Sequence, residues 1–88
     1  MKVKSYNVTI SVFCDDGRCN SISRTYPADC VASIMHNAKY DAEDIAEDDA
    51  TTVVSVYLHY DDNGITNSEI LFVKTLQFDY KSQSYLLI

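Results

Sequence analysis

The stretch KSYNVTISVFCDDGRCNSISRTY, residues 4–26, decides the fold. Its first part alternates apolar and polar residues, which predicts a strand with one buried face. Residues 15–18, Asp-Asp-Gly-Arg, have the composition of a tight turn, and the return segment carries Ile22 and Tyr26 as inward positions. The stretch therefore predicts a β-hairpin whose first strand buries Tyr6, Val8, Ile10, Val12 and Cys14.

The residues after the hairpin predict a helix. Pro27 ends the strand and suits a helix start, and Asp29 complements the helix dipole in the first turn. An apolar stripe at helical spacing should pack on the sheet. A single helix running on to Glu47 would end in carboxylates at the unfavourable terminus. We therefore expect a break near Tyr40 and a short acidic second helical segment capped by Asp41.

The second half of the chain predicts more strands. Residues 51–60 are rich in β-branched residues and precede an Asp-Asp-Asn-Gly turn. In the returning strand, Leu71 and Val73 fall in the opposite phase to Phe72, so that strand is either buried on both faces or interrupted by a bulge. The expected order is β-β-α-β-β-β, with a last strand from Tyr85 to Ile88. The predicted shared core is Val8, Ile10, Val12, Val31, Ile34, Val54, Val56 and Leu58.

Size and composition point to one α+β domain over residues 1–88, a twisted antiparallel sheet of four or five strands with one main helix. The chain has 88 residues, 47% of them hydrophobic, with one proline and two glycines, which is typical of an ordered globular domain. Its three cysteines do not make an even disulfide framework, so we expect reduced thiols. No apolar run approaches the ~18 residues of a membrane span, which predicts a soluble cytoplasmic protein.

The sequence offers little catalytic or metal chemistry. Cys14, Cys19, Cys30 and His36 form a conceivable zinc set, but their spacing matches no common zinc knuckle. The paired aspartates lie beside glycines in predicted turns, where Asp serves turn hydrogen bonding. There is no glycine-rich phosphate loop and no nucleophile elbow. We expect no enzyme activity, no cofactor and no metal, and the scattered basic residues disfavour direct nucleic-acid binding.

Charge is concentrated in one stretch. Between Asp41 and Asp62 lie 8 acidic residues and no basic one, against 5 acidic and 7 basic residues elsewhere. Such a local negative field repels nucleic acid and attracts proteins that bind it. The alternative is an acidic face that serves solubility alone. Tyrosines are preferred interface anchors, although they can also close the second face of the sheet, as across a homodimer. The predicted partner-binding residues are Asp41, Glu43, Asp44, Glu47, Asp48, Asp49, Asp61, Asp62, Tyr57 and Tyr60.

In size, acidity and element order the whole chain resembles small phage-encoded inhibitors of host machinery, anti-CRISPR proteins in particular. That resemblance implies a non-enzymatic inhibitor in the host cytoplasm. Its partner would be a host protein or ribonucleoprotein effector with a basic surface, such as a CRISPR–Cas complex, whose nucleic-acid site the carboxylates occupy. The alternative is an interaction module, such as an antitoxin, an immunity protein or an assembly subunit, that binds through its sheet and tyrosines.

Overall fold

A computed structural model describes residues 2–47 and 50–88 of the chain. They form a single α+β domain in which a five-stranded antiparallel sheet carries one α-helix. Asp48 and Asp49, two of the predicted partner-binding residues, lie outside the described residues. The elements are β1 (Lys2–Cys14), β2 (Cys19–Pro27), a 3₁₀ turn (Ala28–Cys30), α1 (Val31–Ile45), β3 (Ala50–Asp62), β4 (Ile65–Asp79) and β5 (Ser84–Leu87).

The sheet has the strand order β2-β1-β3-β4-β5, and all neighbouring strands are antiparallel. The hairpin β1–β2 and the strands β3, β4 and β5 are therefore joined by a central pairing of β1 with β3. In that pairing Val8 lies opposite Val56, and Ile10 lies opposite Val54. Because opposite residues share a face, these four side chains form the middle of the apolar surface.

The core lies between α1 and one face of the sheet. Ile34 is 3% exposed, and Ala38 and Ala42 are fully buried, so the helix presents small residues to the strands and approaches them closely. Partly buried side chains from β2, β4 and β5 close its edges, among them Ile22, Phe72 and Leu87. The buried residues of the cluster are Val8, Ile10, Ile34, Ala38, Ala42, Val54 and Val56.

The predicted break near Tyr40 is wrong, because α1 continues through it to Ile45. The short acidic second segment does not form separately, and Glu43 and Asp44 lie in the last turn of the same helix. Carboxylates at this terminus cost about 0.3–1 kcal/mol each. Burial of Ala42 and packing of Ile45 against the core outweigh that cost. Residues 2–47 and 50–88 contain no helix long and apolar enough to cross a bilayer.

Val31 is the one member of the predicted core that is not buried, with half of its surface (51%) exposed. Its angular position on the helix matches that of the buried stripe. Val31 is, however, the first residue of α1, one turn before the first buried residue, Ile34. The periodic pattern identifies the buried side of a helix and does not report how far along its length the sheet reaches.

The bulge predicted as one alternative for the second half is present in β4. Val56 pairs with Phe72 and Tyr57 with Ile70, which leaves Leu71 as the extra residue. Phe72 consequently packs against the core, whereas Ile70 points to the other side of the sheet and is 59% exposed. The bulge thus explains why apolar residues occur in both phases of this strand.

Candidate binding surfaces

Carboxylates from three parts of the chain meet at one end of the sheet. Cys14 pairs with Ala50, so the β1–β2 turn lies beside the start of β3, where the segment following α1 also arrives. We call this group of residues the acidic end. Its described members are Asp15 and Asp16 in the turn, Glu43 and Asp44 in the last turn of α1, and Glu47.

A thiol–carboxylate contact fastens the two sides of the acidic end together. The Sγ of Cys14 donates a hydrogen bond to Oε2 of Glu47 at 2.9 Å. This bond, followed by burial and by the negative charge of Glu47, raises the pKa of the Cys14 thiol above its ordinary value. Glu47 therefore anchors the segment after the helix to the end of β1.

Arg18 is the basic residue of the β1–β2 turn, and it is occupied by Asp16. Its backbone N–H donates to Oδ1 of Asp16 at 3.0 Å, and its Nε lies 2.6 Å from Oδ2. These two contacts hold the pKa of the Asp16 carboxyl below its usual range. Gly17 permits the tight turn with a φ of 88°. The charge of Asp16 is thus offset locally, and Asp15, Glu43, Asp44 and Glu47 carry the negative field.

Asp41 lies outside the acidic end. Its Oδ2 is 2.6 Å from Nε of Arg24, and its side chain is only 13% exposed. The ion pair ties α1 to the edge strand β2 and forms part of an open groove of about 490 Å³ between them. Burial in that groove raises the pKa of Tyr26, with a further contribution from the charge of Asp41. The sequence predicts Asp41 as a partner-binding residue, and in the structure its carboxylate is paired with Arg24 of the same chain.

Asp61, Asp62 and Tyr60 lie at the opposite end of the sheet. Asp61 is eleven residues along β3 from Ala50, a distance of about 36 Å in a strand. Asp61 accepts a hydrogen bond from Oγ1 of Thr66 at 2.8 Å and lies 3.7 Å from Nζ of Lys4. The acidic stretch of the sequence is therefore divided between two distant ends of the molecule.

Tyr60 also makes an internal contact at that end. Its hydroxyl donates to Oε1 of Glu69 at 3.0 Å, which is the main reason for its raised pKa. Tyr57, three residues earlier, points to the other side of β3, because side chains alternate along a strand. The two tyrosines singled out from the sequence consequently do not form one surface.

The side of the sheet that α1 does not cover is called the open face. Its β1–β2 half is polar apart from Phe13, which is 50% exposed, and it has a hydrogen bond between the hydroxyls of Thr9 and Ser23 at 3.0 Å. The half formed by β3, β4 and β5 carries six apolar side chains among polar ones such as Ser55, His59 and Thr75. Of the apolar ones, Ile70, Val73 and Ile88 are 59%, 56% and 63% exposed. The apolar half comprises Val53, Tyr57, Ile70, Val73, Leu86 and Ile88.

Two groupings of surface residues were not predicted from the sequence. Asp15 and Asp16 were assigned to turn chemistry alone, yet their turn adds to the acidic end because β1 pairs with β3. A prediction that β1 pairs antiparallel with β3 would have placed the turn and the end of the helix at the same end of the sheet. The exposed apolar residues of the open face could also have been predicted. Apolar residues occur in both phases of β4, and a bulge in that strand places some of them on the open face.

The conceivable zinc set is not assembled. Cys14 and Cys19 flank the turn at the acidic end, whereas Cys30 precedes α1 near the other end, beside the pairing of Pro27 with Ser5. Among the described residues, no group of three or more His, Cys, Asp or Glu side chains is placed to hold a metal ion. Comparison of the chain with protein-family models, with curated proteins and with solved structures found no match.

Proposed function

We propose that this chain is a non-enzymatic inhibitor that binds a host effector which handles nucleic acid, such as a CRISPR–Cas complex. In this proposal the acidic end occupies a basic site of the effector and takes the place of phosphates. The observation that carries it is the gathering of carboxylates from the β1–β2 turn, the end of α1 and the following segment. Charges that are separate in sequence and adjacent in space make a concentrated field.

The contacts within the molecule narrow the set of residues that would face the effector. Asp41 is paired with Arg24, and Asp61 bonds Thr66 at the far end, so neither is needed at the interface. Glu43 and Asp44 are exposed and carry no ion pair among the described residues. These two helix residues are therefore the positions at which charge should matter most for binding.

The test begins with affinity capture from bacterial lysate and identification of the captured protein by mass spectrometry. The captured effector is then titrated with the Glu43→Lys/Asp44→Lys double variant at two salt concentrations. Replacing attractive contacts by repulsive ones at a basic surface costs several kcal/mol, so affinity should fall by orders of magnitude. Wild-type binding should weaken with salt and compete with the effector's nucleic acid.

A matched control carries the same change of net charge elsewhere. The Asp29→Lys/Asp62→Lys double variant alters two exposed carboxylates near the opposite end of the sheet. It should bind nearly as the wild type does, with circular dichroism confirming that both variants fold. Equal loss in both variants would indicate a general charge effect, and no loss in either would refute phosphate replacement.

The second candidate is a protein-interaction module, such as an antitoxin, an immunity protein or an assembly subunit. The apolar half of the open face favours it, because exposed Ile70 and Val73 together with Tyr57 resemble the core of an interface. This candidate predicts the reverse pattern. The Glu43→Lys/Asp44→Lys variant would retain the captured partner, and Val73→Lys would lose it.

A further inference from the structure

The central part of the open face differs from the rest of the surface in carrying no formal charge along its paired strands. Charged residues of this face lie at its ends, where Lys2 pairs with Asp61 and Asp79 pairs with Ser84. The chain has 7 basic and 13 acidic residues. No charged residue lies on the open face between Ser5 and Phe13 of β1, or between Thr51 and His59 of β3, in the part of the sheet that the structure describes. The same holds for the β4 positions from Ser68 to Gln77 that lie on this face. Depletion of charge is the compositional mark of an interface core.

The two halves of this face follow different rules. An antiparallel sheet with one solvated face normally alternates apolar-in with polar-out, as the Asn7, Thr9 and Ser11 positions of β1 do. The other half breaks that rule, since Ile70 and Val73 lie exposed in the same layer. Both halves belong to one sheet. The polar half therefore shows the composition expected of strands that only face solvent, and the exposed apolar residues of the other half depart from it.

We propose that the open face is a self-association surface on which a second copy of this chain packs, sheet against sheet. Charge and area favour a second copy of the chain as the molecule that covers this face. Each copy carries a net charge of −6, so contact through its charged surfaces brings like charges together, whereas the central part of the open face contributes no charge. Four strands of about nine residues and the four-residue β5, spaced ~4.8 Å apart, cover a flat area of roughly 630 Å². A standard stable interface needs about 800 Å² per partner.

Polarity and charge together select one arrangement of the two copies. A two-fold axis across the strands lays the apolar half of one sheet on the apolar half of the other. The same axis places the two acidic ends at opposite ends of a molecule whose long dimension is 46 Å. A two-fold axis along the central strand would instead set polar strands on apolar ones and bring both acidic ends together. The dimer is therefore a four-layer assembly with the helices outermost.

The experiment is sedimentation velocity of the wild-type chain from about 1 μM to about 1 mM. We expect twice the 9.9 kDa chain mass at the upper concentrations. Val73→Lys should raise the dissociation constant about 100-fold or more, because it places two lysines in the dry centre of the interface. Ile88→Lys, at the end of the sheet, should act in the same direction with little burden on folding. The matched control is Ala32→Lys on the exposed side of α1, which should dimerise like the wild type.

A wild-type chain that stays monomeric over this range overturns the proposal, even if another protein binds the open face. So does a folded Val73→Lys variant that dimerises unchanged, or an Ala32→Lys variant that dissociates equally. Spin labels at Asp15, in a variant lacking the three cysteines, report the axis. Labels separated by about the 46 Å long dimension support the axis across the strands, and labels close together overturn it. Because the readout is mass without any effector, failure here leaves the effector proposal separately testable.

Discussion

Replacing Ile34 by alanine tests whether α1 is held on the sheet by its apolar stripe. Ile34 is 3% exposed and lies in the cluster with Val8, Ile10, Val54 and Val56. The change removes three carbons, worth about 2.4 kcal/mol at ~0.8 kcal/mol per buried carbon. The residual cavity adds to this, and the higher helix propensity of alanine recovers a few tenths of a kcal/mol. We therefore expect a loss of about 3 kcal/mol.

That loss is large for a domain of this size. At about 0.05–0.15 kcal/mol per residue, the whole chain has a free energy of unfolding of only about 4–13 kcal/mol. A loss of about 3 kcal/mol should lower the melting temperature by roughly 15 °C. The assay is urea denaturation followed by circular dichroism, with all samples at the same protein concentration because self-association adds to apparent stability.

Val31→Ala is the matched control on the same helix. Val31 is half exposed, so its truncation should cost less than about 1 kcal/mol. The reasoning is refuted if Ile34→Ala costs less than about 0.5 kcal/mol, or if the two variants lose the same amount. Either result would mean that helix burial does not hold α1 on the sheet.

Three further predictions concern single polar contacts. A double-mutant cycle on Arg24→Ala and Asp41→Ala should give a coupling of about 1 kcal/mol in the free energy of unfolding, and strictly additive losses would contradict the 2.6 Å ion pair. At a pH near the ordinary thiol pKa of about 8.5, Cys14 should be alkylated faster in Glu47→Gln than in the wild type, because the hydrogen bond that raises its pKa is weakened. Mass spectrometry measures the alkylation rate at this residue, and equal rates would contradict that cause. The hydrogen bonds that lower the pKa of Asp79 contribute stability that is present above about pH 3.9 and lost as the pH falls. The loss of unfolding free energy caused by Asp79→Asn should therefore shrink between about pH 5 and pH 2. A loss that stays constant over this range would contradict the prediction.

Most elements of the fold could be predicted from local sequence patterns. The alternation in β1 and the glycine-containing turns are decided by neighbours in sequence, and so is the bulge that was left as one alternative for β4. The Asn63–Gly64 turn shows this directly, with φ values of 51° and 79° that suit a two-residue hairpin connection. Elements of this kind are predictable because their causes lie within a few residues.

The helix was misjudged for a different reason. The helix dipole disfavours carboxylates at the end of α1, but this local effect is outweighed by tertiary contacts that the sequence does not display. Burial of Ala42 between α1 and the sheet, and the pairing of Asp41 with Arg24 on β2, both depend on how α1 lies across the strands. The composition of the acidic end depends on long-range placement in the same way, since its turn residues and helix residues meet only through the pairing of β1 with β3.

That central pairing also governs how the chain must fold. The β1–β2 and β3–β4 hairpins close over turns of a few residues, but the nearest partners between β1 and β3, Cys14 and Ala50, enclose β2 and the whole of α1. The entropy of closing so long a loop is lost before the buried contacts of Val8 with Val56 repay it. Domains dominated by such distant pairings fold in milliseconds to seconds. The central pairing of the finished sheet is thus the slowest for the chain to form, and until it forms the apolar faces of both hairpins are exposed to other molecules.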